Sequence, residues 1–508
     1  MLAEARWYPH WQRPDGACPA CVQQSLLRTL LEKGEAALHA SIQHVWPLDA
    51  EAAFGALPTP LRLHADPRFT ARGVTIALLD SAFYPHPDLT RPANRIRAWA
   101  DATQPSAPYL LFQPDDSPRW PGWSASADWQ WHGTMTSVVA SGNGFLSHGL
   151  YRGLASEAQL VLIQVRDSSG HISTESITRA LQWLMQMGPA LGVRVVSMSV
   201  SGDPVEQLAG NPVDAAAAEL ADAGVCLVAA AGNSGERRLI PPATSPRVLT
   251  IGGIDDHSSF SHHEVELWHS NYGQSAEGFS KPELVAPSLW VATPVLPGTT
   301  IAREAAELFA RRASGDHSGD VRIAEMRLIT PHYQHAEGTS FAAPITSGVI
   351  ACLLEANPAL TPSLVRDVLC STAHPVPGAD RARQGAGALD AGRAVARALA
   401  ERHAAHFPWP LSPQHTPAGV LFALHDHTAH SVQVLGSWDN WRAPGIVAAR
   451  SEAGLWQTPP LRLAPGAYTY KFLLDVSRWL DDPANPAKSP DGLGGHNSLL
   501  EIPSPILA

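Results

Sequence analysis

The stretch Gly338-Thr-Ser-Phe-Ala-Ala-Pro-Ile-Thr-Ser-Gly-Val-Ile350 constrains this chain more than any other. Small residues at Ala342, Ala343 and Gly348, set among Ile345, Val349 and Ile350, predict a close-packed, buried helix. Gly338 lets the backbone turn tightly just before it. Ser340 then falls at the helix N-terminus, where backbone N–H groups without helical partners favour negative charge developing on a nearby oxygen. A serine there is also an ordinary helix cap, so it counts as a nucleophile only if partners exist elsewhere in the chain.

Three other stretches supply candidates. Gly73-Val-Thr-Ile-Ala-Leu-Leu-Asp80 reads as a buried parallel strand that presents Asp80 at its C-terminal end, the edge where open α/β sheets carry ligands. His132-Gly-Thr-Met-Thr-Ser-Val-Val puts an imidazole, the side chain suited to proton transfer near neutrality, at the start of a helix of small residues. Val225-Cys-Leu-Val-Ala-Ala-Ala-Gly-Asn-Ser-Gly235 reads as another buried strand, ending in a turn at Asn233. Each is ordinary alone: acids at strand ends cap turns, asparagines sit in turns, and His132 is one of 23 histidines. What counts is their order along the chain, which runs acid, base, nucleophile.

Taken together, Gly-Thr-Ser-Phe-Ala-Ala-Pro, His-Gly-Thr, the strand ending at Asp80 and the Gly-Asn-Ser-Gly turn resemble the subtilisin family of serine proteases. The resemblance implies an α/β, subtilisin-like three-layer fold with a mostly parallel central sheet over residues 71–403. It makes Asp80, His132 and Ser340 the triad, Asn233 the side-chain donor to the oxyanion, and a peptide or protein the substrate of a serine endopeptidase. Val165, Ser199, Val200, Ser201, Gly202, Ala230, Gly232 and Ile240 then bind substrate, and Leu160–Arg166 is the strand along which an extended peptide adds. Ser201 and Ile240 stand near positions where broad-pocket relatives have glycine, which predicts a small or medium apolar residue before the cut. The chemistry requires no cofactor. Family members often hold structural calcium, but no acidic loop here is good enough to name ligands. Two departures stand out: Ser81-Ala82 replaces the usual Thr-Gly or Ser-Gly, and residues 299–334 form an insertion, read either as a lid over the cleft or as a surface addition. Two alternatives carry over: a peptide-processing enzyme whose acyl-enzyme is intercepted by an amine, and a catalytically idle carbohydrate-bound scaffold.

At 508 residues the chain is too long for one core. Residues 404–418 read as a stiff, Pro-rich linker. Short alternating segments separated by Gly, Pro, Asp and Asn turns over 419–508 predict a small all-β, immunoglobulin-like sandwich. There Gly436-Ser-Trp-Asp-Asn-Trp441, Tyr470-Lys-Phe472, Trp479 and Leu493-Gly-Gly-His-Asn497 resemble the glycogen-binding β-module of AMP-activated kinase β subunits and starch-acting enzymes. That resemblance implies an α-glucan partner, with Trp441 and Trp479 as stacking platforms, Lys471 and Asn497 as hydrogen-bonding groups and Leu493 as an apolar wedge. Some such modules keep the fold without binding sugar.

Residues 1–70 read as a pro-segment or a small helical element, with apolar residues from Val22 to Val45 at roughly helical spacing. Cys18-Pro-Ala-Cys21 is half a zinc site, which His10, His39 or His44 would have to complete. Five cysteines, an odd number, suit reduced thiols. A net charge of −11 with no cluster of Lys and Arg argues against a nucleic-acid partner. No basic leader with an apolar core opens the chain and no apolar run of bilayer-spanning length is expected, which predicts a cytoplasmic protein without a membrane partner.

Overall fold

The computed structural model describes residues 19–42, 56–117, 130–204, 210–261, 265–275, 277–406, 412–416, 418–426, 429–451, 455–485, 487–492 and 495–502. It divides into two compact units, Met1–Val395 and Ala396–Ala508.

The first unit is built on a nine-stranded sheet. Its strands include β1 (Thr75–Asp80), β2 (Ile96–Asp101), β3 (Tyr109–Leu111), β4 (Gln159–Gln164), β5 (Val193–Met198), β6 (Cys226–Ala230), β7 (Val248–Asp255) and β8 (Glu266–Leu267). The order is Leu284–Pro287, β7, β6, β5, β1, β4, β2, β3, parallel throughout except where β3 pairs β2 and β8 pairs β7. Every residue of β1 is buried, as a parallel strand covered on both faces requires. Ala77 and Leu79 pack with Val161, Val196 and the helices Thr174–Leu191 and Pro212–Asp222. On the other face the helix Thr339–Ala356 lies against β5, β6 and β7. The mostly parallel α/β fold is therefore the one expected.

That helix corrects one expectation. Its 18 residues have a mean hydropathy of 1.4, enough by length and composition alone to cross a membrane, but 89% of it is buried inside the protein. Small residues let it sit in the middle of the layer, and its apolar surface is met by the sheet.

The segment ahead of the family-like region is part of the core. Helices Pro19–Lys33 and Glu35–Ile42 bring Val22, Leu26, Leu27, Leu30 and Leu38 into one cluster with Leu150, Tyr151, Ile329 and Tyr333. Buried Gln23 donates to the Leu150 carbonyl at 2.7 Å and accepts from Arg152 at 3.0 Å. Within residues 299–334, helices Thr300–Ala313 and Asp320–Glu325 close a small core of Ala305, Leu308, Phe309 and Ile323 with Val295 and Leu328. The strand Tyr333–Ala336 that leaves this insertion pairs with Val291–Pro294 and leads straight to Gly338.

In the second unit all strand pairs among the described residues are antiparallel. The longest strand, Gly466–Leu474, is flanked by Val432–Gly436 and His496–Ile502, over a core that includes Phe422, Trp456, Tyr470 and Phe472. The stretch expected as linker is in part structured. Residues 404–406 end the helix Ala391–His406, Gln414–Thr416 pairs with Gly419–Leu421, and the buried Ser412 hydroxyl donates to Asp482 at 2.5 Å.

Candidate active site

Asp80 closes β1 and is 1% exposed. Its Oδ1 accepts from the Ser81 N–H at 2.6 Å and stands 2.6 Å from His132 Nδ1, while Oδ2 accepts from the Thr136 hydroxyl at 2.9 Å. Thr136 lies one turn beyond His132 on the helix Gln130–Ser141, so one helix supplies both contacts. That helix can start this close because its next residue is Gly133, where a Cβ would stand 2.2 Å from the Ala82 carbonyl oxygen.

Nδ1 of His132 donates to the carboxylate, which leaves Nε2 as the acceptor. The ring is half-buried, edge-on to Trp131 at 5.3 Å and 6.3 Å from Phe341, the residue after Ser340. Burial alone would lower the imidazole pKa. The charge and hydrogen bond of Asp80 outweigh burial and the smaller opposing charge of Arg166, and the pKa ends above its ordinary value.

Ser340 is the second residue of the helix Thr339–Ala356. Gly338 precedes it at φ +131°, a backbone state that a side chain would strain, and donates its N–H to the Ser288 carbonyl at 2.8 Å. Pro344 has no N–H to give the Ser340 carbonyl four residues back, and the Ser199 hydroxyl takes its place at 2.8 Å.

Asn233 completes the group. Its Oδ1 accepts from the Thr339 N–H at 3.0 Å and the Thr339 hydroxyl at 2.8 Å. Since a backbone N–H can only donate, this settles which amide atom faces Thr339 and leaves Nδ2 as a donor beside Gly338, 3.2 Å from where a Cβ there would stand. The Asn233 backbone carbonyl is held by His269 Nδ1 at 3.0 Å, and Asn271 Oδ1 accepts from the N–H and hydroxyl of Ser234, both at 2.8 Å. Sequence reasoning missed Ser199's contact to Ser340, Thr136, His269 and Asn271. Thr136 was within reach, one helical turn from His132; nothing local marks the other three.

The substrate residues divide. Ser199–Asp203 follows β5 with no strand partner among the described residues, and Gly202 N–H donates to the Pro241 carbonyl at 2.9 Å, joining this wall to the Ile240 loop. Ser201 is exposed and Ile240 half-buried there, whereas Val200 and Ala230 are buried. Two expectations need correcting. Gln159–Gln164 is paired on both sides, by β1 and by β2, so no peptide can add along it. Val165 is fully buried, its N–H given to Asp80 O at 3.0 Å and its carbonyl taken by Ser176 Oγ at 2.8 Å. The apolar run from Leu160 to Val165 reads the same whether a strand is open on one side or covered on both, and here it is covered on both through Gln164.

In the second unit the rings of Trp441 and Trp479 are 6.0 Å apart at 63°. Trp479 pairs with Leu473, which shares a strand face with Lys471 two residues away. Asn497 comes one step before Ser498, the partner of Tyr470, and so in this antiparallel register lies across from Lys471. Lys471 Nζ already donates to Asp491 at 2.6 Å. Leu493 lies outside the described residues, as do Cys18, His10, His44 and the side chain of His39. Cys21 is exposed on the first helix, and among the described residues no three His, Cys, Asp or Glu side chains are gathered to hold a metal.

A mostly parallel α/β sheet that brings an aspartate–histidine pair, a helix-start serine and an anchored asparagine to its strand ends is the architecture of a serine peptidase. The model of the subtilase family (Peptidase_S8) matches residues 71–388, and the chain belongs to that family: it is a subtilisin-like serine endopeptidase. It is 29% identical over 337 residues to the serine protease AprX of Bacillus subtilis strain 168, covering 64% of this chain and 67% of that one. It is 28% identical over 349 residues to halolysin of Haloferax mediterranei, covering 67% and 53%. A solved protease structure from Pseudoalteromonas arctica aligns over 69% of this chain and 96% of that one, with 21% identity and a TM-score of 0.47.

Proposed function

We propose that Ser340 cleaves peptide bonds through an acyl-enzyme. The observation that carries this is the 2.6 Å Asp80–His132 contact at the C-terminal end of the central strand β1, together with the bonds by which Thr339 locks Asn233 beside Ser340. Asp80 holds the imidazole tautomer and stabilises its cation, and His132 Nε2 takes the Ser340 proton as the oxygen attacks the substrate carbonyl. Asn233 Nδ2 and the Ser340 backbone N–H receive the oxyanion. The same imidazole gives its proton to the leaving amine, and then activates water to release the acyl group. An extended peptide lies along Ser199–Asp203, and the volumes of Ser201 and Ile240 favour a small or medium apolar residue before the cut. The second unit is read as a β-sandwich that binds α-glucan across Trp441, Trp479, Lys471 and Asn497.

The test is a serine-directed fluorophosphonate probe and a peptide library, each with wild type and Ser340→Ala. Labelling and cleavage by wild type alone support the proposal. A wild type that neither labels nor cleaves overturns it in favour of the idle scaffold.

A further inference from the structure

We propose that Arg62, which lies ahead of the family-matched residues 71–388, is a positioning residue for Ser340. The inference rests on the reading of Ser340 as nucleophile.

Arg62 ends the short helix Thr59–Arg62, and its guanidinium is fully buried. Nε and Nη2 donate to the two oxygens of Asp256 at 2.9 and 2.6 Å, fork against fork. This aims the outer N–H bonds at two backbone carbonyls: Nη1 donates to Trp290 O at 2.9 Å and Nη2 to Leu289 O at 2.8 Å. Trp290 sits at φ +57°, a left-handed state that a bulky side chain adopts only when its surroundings hold it there. One planar cation therefore pins a strained turn from both its carbonyls.

That turn is tied to the nucleophile on each side. Just before it, Ser288 accepts the Gly338 N–H at 2.8 Å and gives its own N–H to Ile254 O at 2.9 Å. Just after it, Val291 is the strand partner of Ala336. Gly338 and Ala336 both lead into Ser340, so a shift of the Leu289–Trp290 turn is passed to the backbone that aims the hydroxyl. A lysine keeps the charge but lacks the fork that reaches one carboxylate and two carbonyls together. Cutting the chain at residue 70 would remove this support along with the N-terminal helices.

The experiment uses the full chain as wild type, Arg62→Lys and the double variant Arg62→Met with Asp256→Asn. The double variant leaves no unpaired buried charge, and the amide oxygen introduced by Asp256→Asn can still accept from Ser258 N–H, as the Asp256 carboxylate does at 3.1 Å. Thermal midpoint, fluorophosphonate labelling rate, and kcat and KM against pH are measured for each. Both variants are expected to fold, with kcat and labelling rate down about 10- to 100-fold. KM stays near wild type, and so does the acid-limb midpoint, because the Asp80–His132 pair is untouched. A folded double variant that labels and turns over at the wild-type rate overturns the inference. So does a lowered thermal midpoint with unchanged kcat per folded molecule, which is what a purely structural role gives. If the double variant does not fold, Arg62→Lys decides by the same readings. A wild type that takes up no probe removes the nucleophile reading, and this inference falls with it.

Discussion

The Ser199 hydroxyl donates to the carbonyl of Ser340 at 2.8 Å, a carbonyl that Pro344 deprives of its helical N–H donor. Proline inside the helix and serine on the neighbouring loop thus form one device. Ser199→Ala leaves a partly buried acceptor without this donor and is expected to cost about 1 kcal/mol. Pro344→Ala restores a helical donor and should relieve that loss, so a double-mutant cycle in thermal or denaturant unfolding should show coupling of at least about 0.5 kcal/mol. Additive effects would mean the two residues act separately.

Asn233 is held by its acceptor atom and in the proposed mechanism works with its donor atom, so two substitutions should separate the roles. Asn233→Ala removes the donor, and kcat is expected to fall about 100- to 1,000-fold with KM little changed, the range known for the equivalent donor of subtilisin itself. Thr339→Val keeps the backbone N–H anchor and loses only the hydroxyl, so its loss of kcat should be smaller, about 10-fold. Steady-state kinetics on one peptide checks both. Equal losses would show that the hydroxyl does more than aim the amide.

In the proposed mechanism neutral His132 is the base, and Asp80 raises its pKa against the opposing effect of burial. The ratio kcat/KM should therefore rise with pH through a midpoint above the ordinary 6.5. Asp80→Asn removes what raises the pKa and leaves burial, so the midpoint should move below the ordinary value while kcat drops about 10⁴-fold, as for the equivalent aspartate in other triads. The linkage has the same sign: with its folded pKa raised, His132 contributes stability below its unfolded pKa and loses it as pH rises through the folded one. A pH–rate profile of both proteins decides, and an unmoved midpoint would separate the pair from the acid limb.

The residues proposed to carry the chemistry stand out in the sequence because each sits where a change of backbone state leaves a local mark. An apolar strand stops at Asp80, a glycine follows His132, and glycines flank Asn233 and precede Thr339-Ser340. The supports could not. Arg62 and Asp256 are 194 residues apart, and His269 meets Asn233 across 36, so nothing in either neighbourhood announces the other. Val165 was misplaced for the opposite reason: its neighbourhood reads clearly as strand, but only sheet pairing shows where the strand stops being interior. Residues 1–70 read as a pro-segment or a small helical element because, the Cys18–Cys21 pair apart, they carry no motif, and burial of Leu27 and Leu38 among distant side chains is a property of the fold alone.

The second unit offers a test that leaves the peptidase alone. Trp479 is 45% exposed, although aromatic rings of that size usually sit inside, and it stands edge-on to Trp441. Trp441 and Asn440 both hold positive φ, at +61° and +55°, so the backbone is strained to keep the Trp441 ring where it is. An exposed ring beside one held at such a cost makes a corner on which sugar faces can stack, with the Lys471–Asp491 pair and Asn497 on the same side of the sheet to meet hydroxyls. Trp479→Ala removes little of the unit's core and should leave peptide cleavage and the thermal midpoint near wild type. Retention on glycogen should fall at least about 10-fold, the order of loss when an aromatic anchor of a binding surface is truncated. Equal retention of variant and wild type, or none by wild type, would leave the two tryptophans as structural residues and remove the glucan from the proposal.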